Sequence, residues 1–231
     1  DSFTVTVTVN PSINPNSIVT NSSCFGIDNG SITTNITGGV PFSTGAPYLI
    51  NWTGPNGFVS TATTLSNLEP GIYTLTVDDA GGCPFTDSYT ITEPDDLLIT
   101  IDSANDITCF NSANGSITIS ISGGTGNYFY TWTFNGTPFS TEEDLSNLSP
   151  GNYSVSVTDI NNCGPKTANF VITEPPLLEV NLVSQTNVEC FGDSTGTIVV
   201  VATGGTIATT YAFSWSGPNG YTSSSQNLNN L

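Results

Sequence analysis

The chain has no histidine, no methionine and one basic residue, Lys166, in 231 residues. Without an imidazole it lacks the side chain that most often serves as a general base near neutral pH. Without clustered Lys and Arg it has nothing to neutralise phosphates or anionic lipid headgroups. Nucleic-acid and membrane-surface roles are therefore excluded. No run of eighteen apolar residues is present, so no transmembrane helix is expected and direct membrane insertion is not part of the reading. No basic segment followed by an apolar one opens the chain, which reads as a stretch cut from something longer. What charge there is comes from 19 acidic residues, giving a formal net charge of -18, yet only 9% of residues are charged. The surface must be largely uncharged and polar, and Thr, Ser and Asn supply it.

Self-similarity organises the chain. Cys24-Phe25-Gly26, Cys109-Phe110-Asn111 and Cys190-Phe191-Gly192 open three equivalent segments at intervals of 85 and 81 residues. Each is followed by a glycine (Gly30, Gly115, Gly196), a Gly-Gly pair starting at Gly38, Gly123 and Gly204, a tryptophan (Trp52, Trp132, Trp215) and a leucine (Leu68, Leu148, Leu231). Two segments continue through Pro-Gly-x-Tyr to Asp79 and Asp159, Cys83 and Cys163, and Thr-Glu-Pro at Thr92 and Thr173. The resulting division is 1–11, a last strand of a preceding repeat, then 12–94, 95–175 and 176–231, the third truncated.

Within a repeat the hydrophobic period is two: Ile32, Thr34 and Ile36 alternate with polar neighbours, as do Tyr73, Leu75 and Val77, and Tyr153, Val155 and Val157. Asn-Gly dipeptides at Asn29, Asn56, Asn114, Asn135 and Asn219 suit tight turns. The fold class is all-β, tandem immunoglobulin-like antiparallel β-sandwiches joined end to end in an extended rod. Trp52, Trp132 and Trp215 are assigned to the cores of their repeats, and Tyr73 and Tyr153 to the position of a tyrosine corner.

Five cysteines with no histidine and no Cys-x-x-Cys pair point to disulfides in an oxidising compartment. Two pairings fit the spacing: within repeats, Cys24 with Cys83 and Cys109 with Cys163, or across linkers, Cys83 with Cys109 and Cys163 with Cys190. An extended junction separates the second set by tens of ångströms, whereas a disulfide needs Cα atoms within about 7 Å. Between Cys24 and Cys83 the pattern reads as four strands, near 31–37, 48–53, 58–65 and 72–78. Four antiparallel strands return the chain to the end it left, so the expectation is pairing within repeats, with Cys190 unpaired.

The combined motif is Cys-x5-Gly-Ser-Ile, Gly-Gly, aromatic-x-Trp, Leu-x-Asn-Leu-x-Pro-Gly-x-Tyr, Val-x-Asp, Asn/Gly-Cys and Thr-Glu-Pro. It resembles the SprB repeat, a module of gliding-motility adhesins and other giant surface proteins of Bacteroidetes. The resemblance runs from about residue 12 onward. It departs in the third copy, which has no Pro-Gly-x-Tyr half, and in the first, which is longer over residues 40–51. The resemblance implies type IX secretion, an extracellular location at the outer membrane, and contact with a substratum or surface glycans through the parent protein. It also implies coupling to outer-membrane motility and secretion machinery through regions outside this stretch.

No catalytic residue and no cofactor are expected. Calcium wants six to eight oxygen ligands, and the recurring carboxylates Asp79 with Asp159 and Glu93 with Glu174 are its only candidates. Glu142-Glu143-Asp144 does not supply the two carboxylates facing a cleft that a glycosidase requires, and the other copies lack it. Ser103 and Ser194 stand in Asp-Ser-Ala and Asp-Ser-Thr, which resemble an O-glycosylation sequon. The aromatic stripes ending at each Trp leave a second function class open, a carbohydrate-binding β-sandwich module; the leading class is a non-catalytic stalk segment of a large adhesin.

Overall fold

A computed structural model describes Val5, residues 9–206 and residues 210–231. Most of the strand read over residues 1–11 lies outside the described residues. The first repeat contributes β1 (Ile18–Thr20), β2 (Gly30–Thr33), β3 (Leu49–Thr53), β4 (Val59–Ser60), β5 (Thr64–Leu68), β6 (Gly71–Asp78) and β7 (Phe85–Ile91). The second contributes β8 (Leu98–Asn105), β9 (Gly115–Ser122), β10 (Phe129–Phe134), β11 (Thr137–Ser140), β12 (Leu145–Leu148), β13 (Gly151–Thr158) and β14 (Lys166–Ile172). The third has β15 (Glu179–Thr186), β16 (Thr197–Thr203), β17 (Trp215–Ser216) and β18 (Thr222–Ser223).

Both complete repeats have one topology: a three-stranded sheet, β1-β2-β5 or β8-β9-β12, and a four-stranded sheet, β4-β3-β6-β7 or β11-β10-β13-β14. The alternation of β6 and β13 explains why, since every second residue (Tyr73, Leu75, Val77; Tyr153, Val155, Val157) is buried and the residues between stay partly wet. Trp52, on β3, pairs with Leu75 on β6 and is fully buried in a core with Ile32, Leu65, Leu68 and Ile91. The chain divides into two compact units, one running to Ile99 with Ile121–Phe129 and Val157–Lys166, the other comprising Thr100–Ser120, Tyr130–Ser156 and the described residues from Thr167. Among the described residues no helix is long and apolar enough to cross a membrane.

The strand count between the cysteines differs from the sequence expectation. Residues 58–65 are not one strand: β4 ends at Ser60 in the four-stranded sheet, and the chain then crosses to the other sheet as β5, paired with β2. Leu65 and Leu68 both face the core although three residues apart, because the register shifts between them and Asn67 takes a φ of 54°. Five strands, not four, therefore lie between Cys24 and Cys83. An odd number of antiparallel crossings leaves those cysteines at opposite ends of the sandwich.

Candidate functional site

The loop after each first cysteine is built the same way in both complete repeats. Asn29 accepts from the Ser23 N–H at 2.9 Å and donates to the Ser23 hydroxyl at 2.7 Å; Asn114 does the same with Thr108, at 3.1 and 2.7 Å. Glu93 accepts from the Gly26 N–H, and Glu174 from the Asn111 N–H at 2.8 Å. These two Asn-Gly dipeptides thus clamp a loop, while Asn56, Asn135 and Asn219 adopt positive φ in turns. Each clamped loop presents a phenylalanine outward, Phe25 and Phe110, both half exposed; the corresponding Phe191 of the third repeat is fully exposed.

At the opposite end of each sandwich lies the loop carrying the second cysteine, held by a buried aspartate. Asp159 accepts from the Thr125 N–H and hydroxyl on one oxygen (2.9 and 2.8 Å) and from the Asn161 and Cys163 N–H groups on the other (both 2.9 Å). Asp79 accepts likewise from Val40 (2.8 Å) and Gly81 (2.9 Å). For Asp79 the Val40 N–H is the largest influence and, with the other loop amides, outweighs desolvation, so its pKa lies below the ordinary carboxylate value. For Asp159 desolvation is the largest single influence and opposes ionisation. The Cys163 and Thr125 donors together overcome it, and that pKa too is lowered.

The Gly-Gly pair completes this end. Gly39, Gly124 and Gly205 donate to the carbonyls of Pro11, Asp95 and Pro176 at 2.9, 2.8 and 2.7 Å, tying the turn to the segment that enters each repeat. A side chain at Gly124 (φ +61°) would start 2.9 Å from both the Asp159 carboxylate and Leu97.

The two kinds of loop meet covalently. Cys24 and Cys163 form a disulfide with Cα atoms 5.5 Å apart, while Cys83, Cys109 and Cys190 are free and exposed. The expected pairs Cys24–Cys83 and Cys109–Cys163 are not formed, for the parity reason given above. The bond instead joins the first loop of one repeat to the second loop of the next. Around it Asn161 Nδ2 donates to the Ser23 carbonyl at 3.2 Å, and Phe25 and Ile27 line a recess with Leu97, Pro165 and Lys166. Lys166, the chain's single cation, pairs with Asp96 at 2.8 Å; both are half exposed, so the pair adds about 1 kcal/mol at most.

Trp52 and Trp132 are fully buried, as are Tyr73 and Tyr153, whose hydroxyls donate to the carbonyls of Glu69 and Ser149, both at 3.0 Å. Trp215 departs from its core assignment and is only half buried. Its indole still donates to a carbonyl ten residues on, as in the other repeats, at 2.7 Å. Trp132, by contrast, packs against Phe170 of β14, their ring centroids 5.7 Å apart. Acrylamide is therefore expected to quench Trp215 readily and Trp52 and Trp132 hardly at all. A Trp215→Phe variant with easily quenched emission would contradict this placement.

The calcium candidates do not converge: Asp79 and Glu93 stand at opposite ends of β7, as do Asp159 and Glu174 of β14, each bonded to main-chain amides. Among the described residues no group of three or more His, Cys, Asp or Glu side chains is placed to hold a metal ion. Asp144 accepts from the Ile119 N–H, and Glu142 offers its carbonyl to Trp132. Ser103 sits half buried in β8 with its hydroxyl 2.8 Å from that of Thr118, whereas Ser194 is exposed in a loop. The sequence reading missed the clamped Cys-Phe loop as a contact surface. Its signal was an exposed phenylalanine recurring after each first cysteine.

Repeated two-sheet sandwiches in the immunoglobulin manner define a tandem β-sandwich array. The chain belongs to the SprB repeat family, whose model matches residues 16–57, 101–137 and 182–220, together just over half of the chain. No curated protein matches it. Among solved structures it is similar to the three N-terminal domains of the bacteriophage RB49 outer capsid protein Hoc (14% identity, 94% of this chain and 80% of that one, TM-score 0.48). It is also similar to immunoglobulin domains 1–5 of Sidekick-1 (10% identity, 95% and 54% covered, TM-score 0.42).

Proposed function

We propose that this chain is a non-catalytic stalk segment of a large bacterial surface adhesin serving attachment and gliding motility, exported by type IX secretion. The observation that carries this reading is the Cys24–Cys163 disulfide between the first loop of one repeat and the second loop of the next. A bond placed there resists separation of neighbouring sandwiches, which is what a load-bearing spacer requires. SprB family membership and a disulfide, which persists only outside reducing compartments, support a cell-surface location. The junctions carry Pro94 and Pro175-Pro176 with no Gly/Ser tract, which favours stiffness. Adhesion to a substratum or to surface glycans would then reside elsewhere in the parent protein. A carbohydrate-binding role would need an exposed aromatic platform, and burial of Trp52 and Trp132 removes the centre of the one the sequence suggested. At about 35–45 Å per repeat, small-angle scattering is expected to give a maximum dimension on the order of 100 Å. A compact profile would defeat the stalk.

A further inference from the structure

We propose that the junction disulfide is the repeating cross-link of the array: the first cysteine of each repeat bonds to the second cysteine of the following one. Cys83, Cys109 and Cys190 are then halves of three further bonds whose partners are other SprB repeats. This deepens the stalk reading and rests on it for its mechanical meaning, but its chemistry stands on separate observations.

The partner loop of each bond is already assembled in the absence of its mate. Cys83 lines a recess with Ser12, Ile13, Asp79 and Phe85; Ser12, Ile13 and Phe85 are the counterparts of Asp96, Leu97 and Lys166 in the recess at Cys163, and Asp79 that of Asp159, which accepts from the Cys163 N–H. The recess at Cys163 differs in holding Cys24, Phe25 and Ile27 from the preceding repeat. The occupant that fits at Cys83 is therefore another Cys-Phe loop.

The opposite half is seen at Cys109. Its loop carries the same Asn and Glu clamps as that of Cys24, and Cys109 and Phe110 already lie against Leu177, Leu178 and Gly205 of the next repeat. The Thr108 carbonyl accepts from the Thr206 hydroxyl at 2.9 Å, just as the equivalent Ser23 carbonyl accepts from Asn161. Residues 176–231 stop short of the segment that carries the second cysteine in the other two repeats. Phe191, the corresponding phenylalanine of the third repeat, is fully exposed.

Each bond forms when two thiols lose two protons and two electrons. A low-molecular-weight disulfide such as oxidised glutathione accepts them by two successive thiol–disulfide exchanges and leaves as two thiols. The product is one S–S bond per junction.

The test completes the third repeat by appending a copy of residues 149–175 after Leu231, which aligns with Leu148. The extended chain is refolded in a glutathione buffer, alkylated, weighed and mapped without reduction. The expected result is Cys24 joined to Cys163, Cys109 joined to the appended cysteine, and two alkylated thiols, at Cys83 and Cys190. No free thiol, the outcome of pairing within repeats, or four free thiols would overturn the proposal. Mapping of the 231-residue chain itself answers independently of whether the appended strands fold: Cys24–Cys163 with three alkylated thiols is expected, and Cys24–Cys83 or Cys109–Cys163 overturns the ladder. An extended scattering profile with no free thiols removes the ladder and leaves the stalk; a compact profile with two does the reverse.

Discussion

Replacing Trp132 with alanine is expected to destabilise the second repeat by about 3 to 5 kcal/mol, read as a lower denaturation midpoint in urea. The indole is wholly buried, its ring centroid lies 5.7 Å from that of Phe170, and its N–H donates to the Glu142 carbonyl at 2.8 Å. Truncation removes that apolar area, leaves a cavity in a sheet-on-sheet core and strips a carbonyl of its donor. The equivalent Trp215→Ala substitution should cost less, since that ring is only half buried. A Trp132→Ala protein as stable as the parent would contradict the core placement.

Much of the fold was legible because its signals are local. Period-two alternation marks β6 and β13 directly, and tryptophan on the third strand of both complete repeats marks the core between the sheets. The hidden element was β5, whose two core residues, Leu65 and Leu68, are three apart and so break the alternation by which a strand is recognised. Asn67 and Asn147, both with positive φ, absorb the extra residue in β5 and β12. Missing that strand reversed the parity, and with it the cysteine pairing: an error of one strand moved a covalent bond from inside a sandwich to a joint between two. The recurring aspartates were found by repeat register alone. Their role was not legible, because a carboxylate that gathers main-chain amides and one that ligates calcium look alike in sequence.

Asp159→Asn separates those roles and carries the second large effect. The aspartate accepts four hydrogen bonds, three from loop amides and one from the Thr125 hydroxyl. An asparagine can offer one oxygen; its amide nitrogen would point hydrogens at donors and leave buried N–H groups unpaired. The expected cost near neutral pH is about 3 kcal/mol. The pH dependence has a definite sign. Because the folded-state pKa is lowered, the carboxylate's contribution is present above the unfolded value of about 3.9 and is lost as pH falls through the folded one. The gap in stability between the parent and Asp159→Asn should therefore be widest at neutral pH and narrow steadily below about pH 4. It should be the same in chelator and in millimolar calcium, since the donors are main-chain amides of the protein itself. Equal stabilities at pH 7 would remove the aspartate from its role in holding the Cys163 loop, and a gap that appeared only with calcium would return it to the metal.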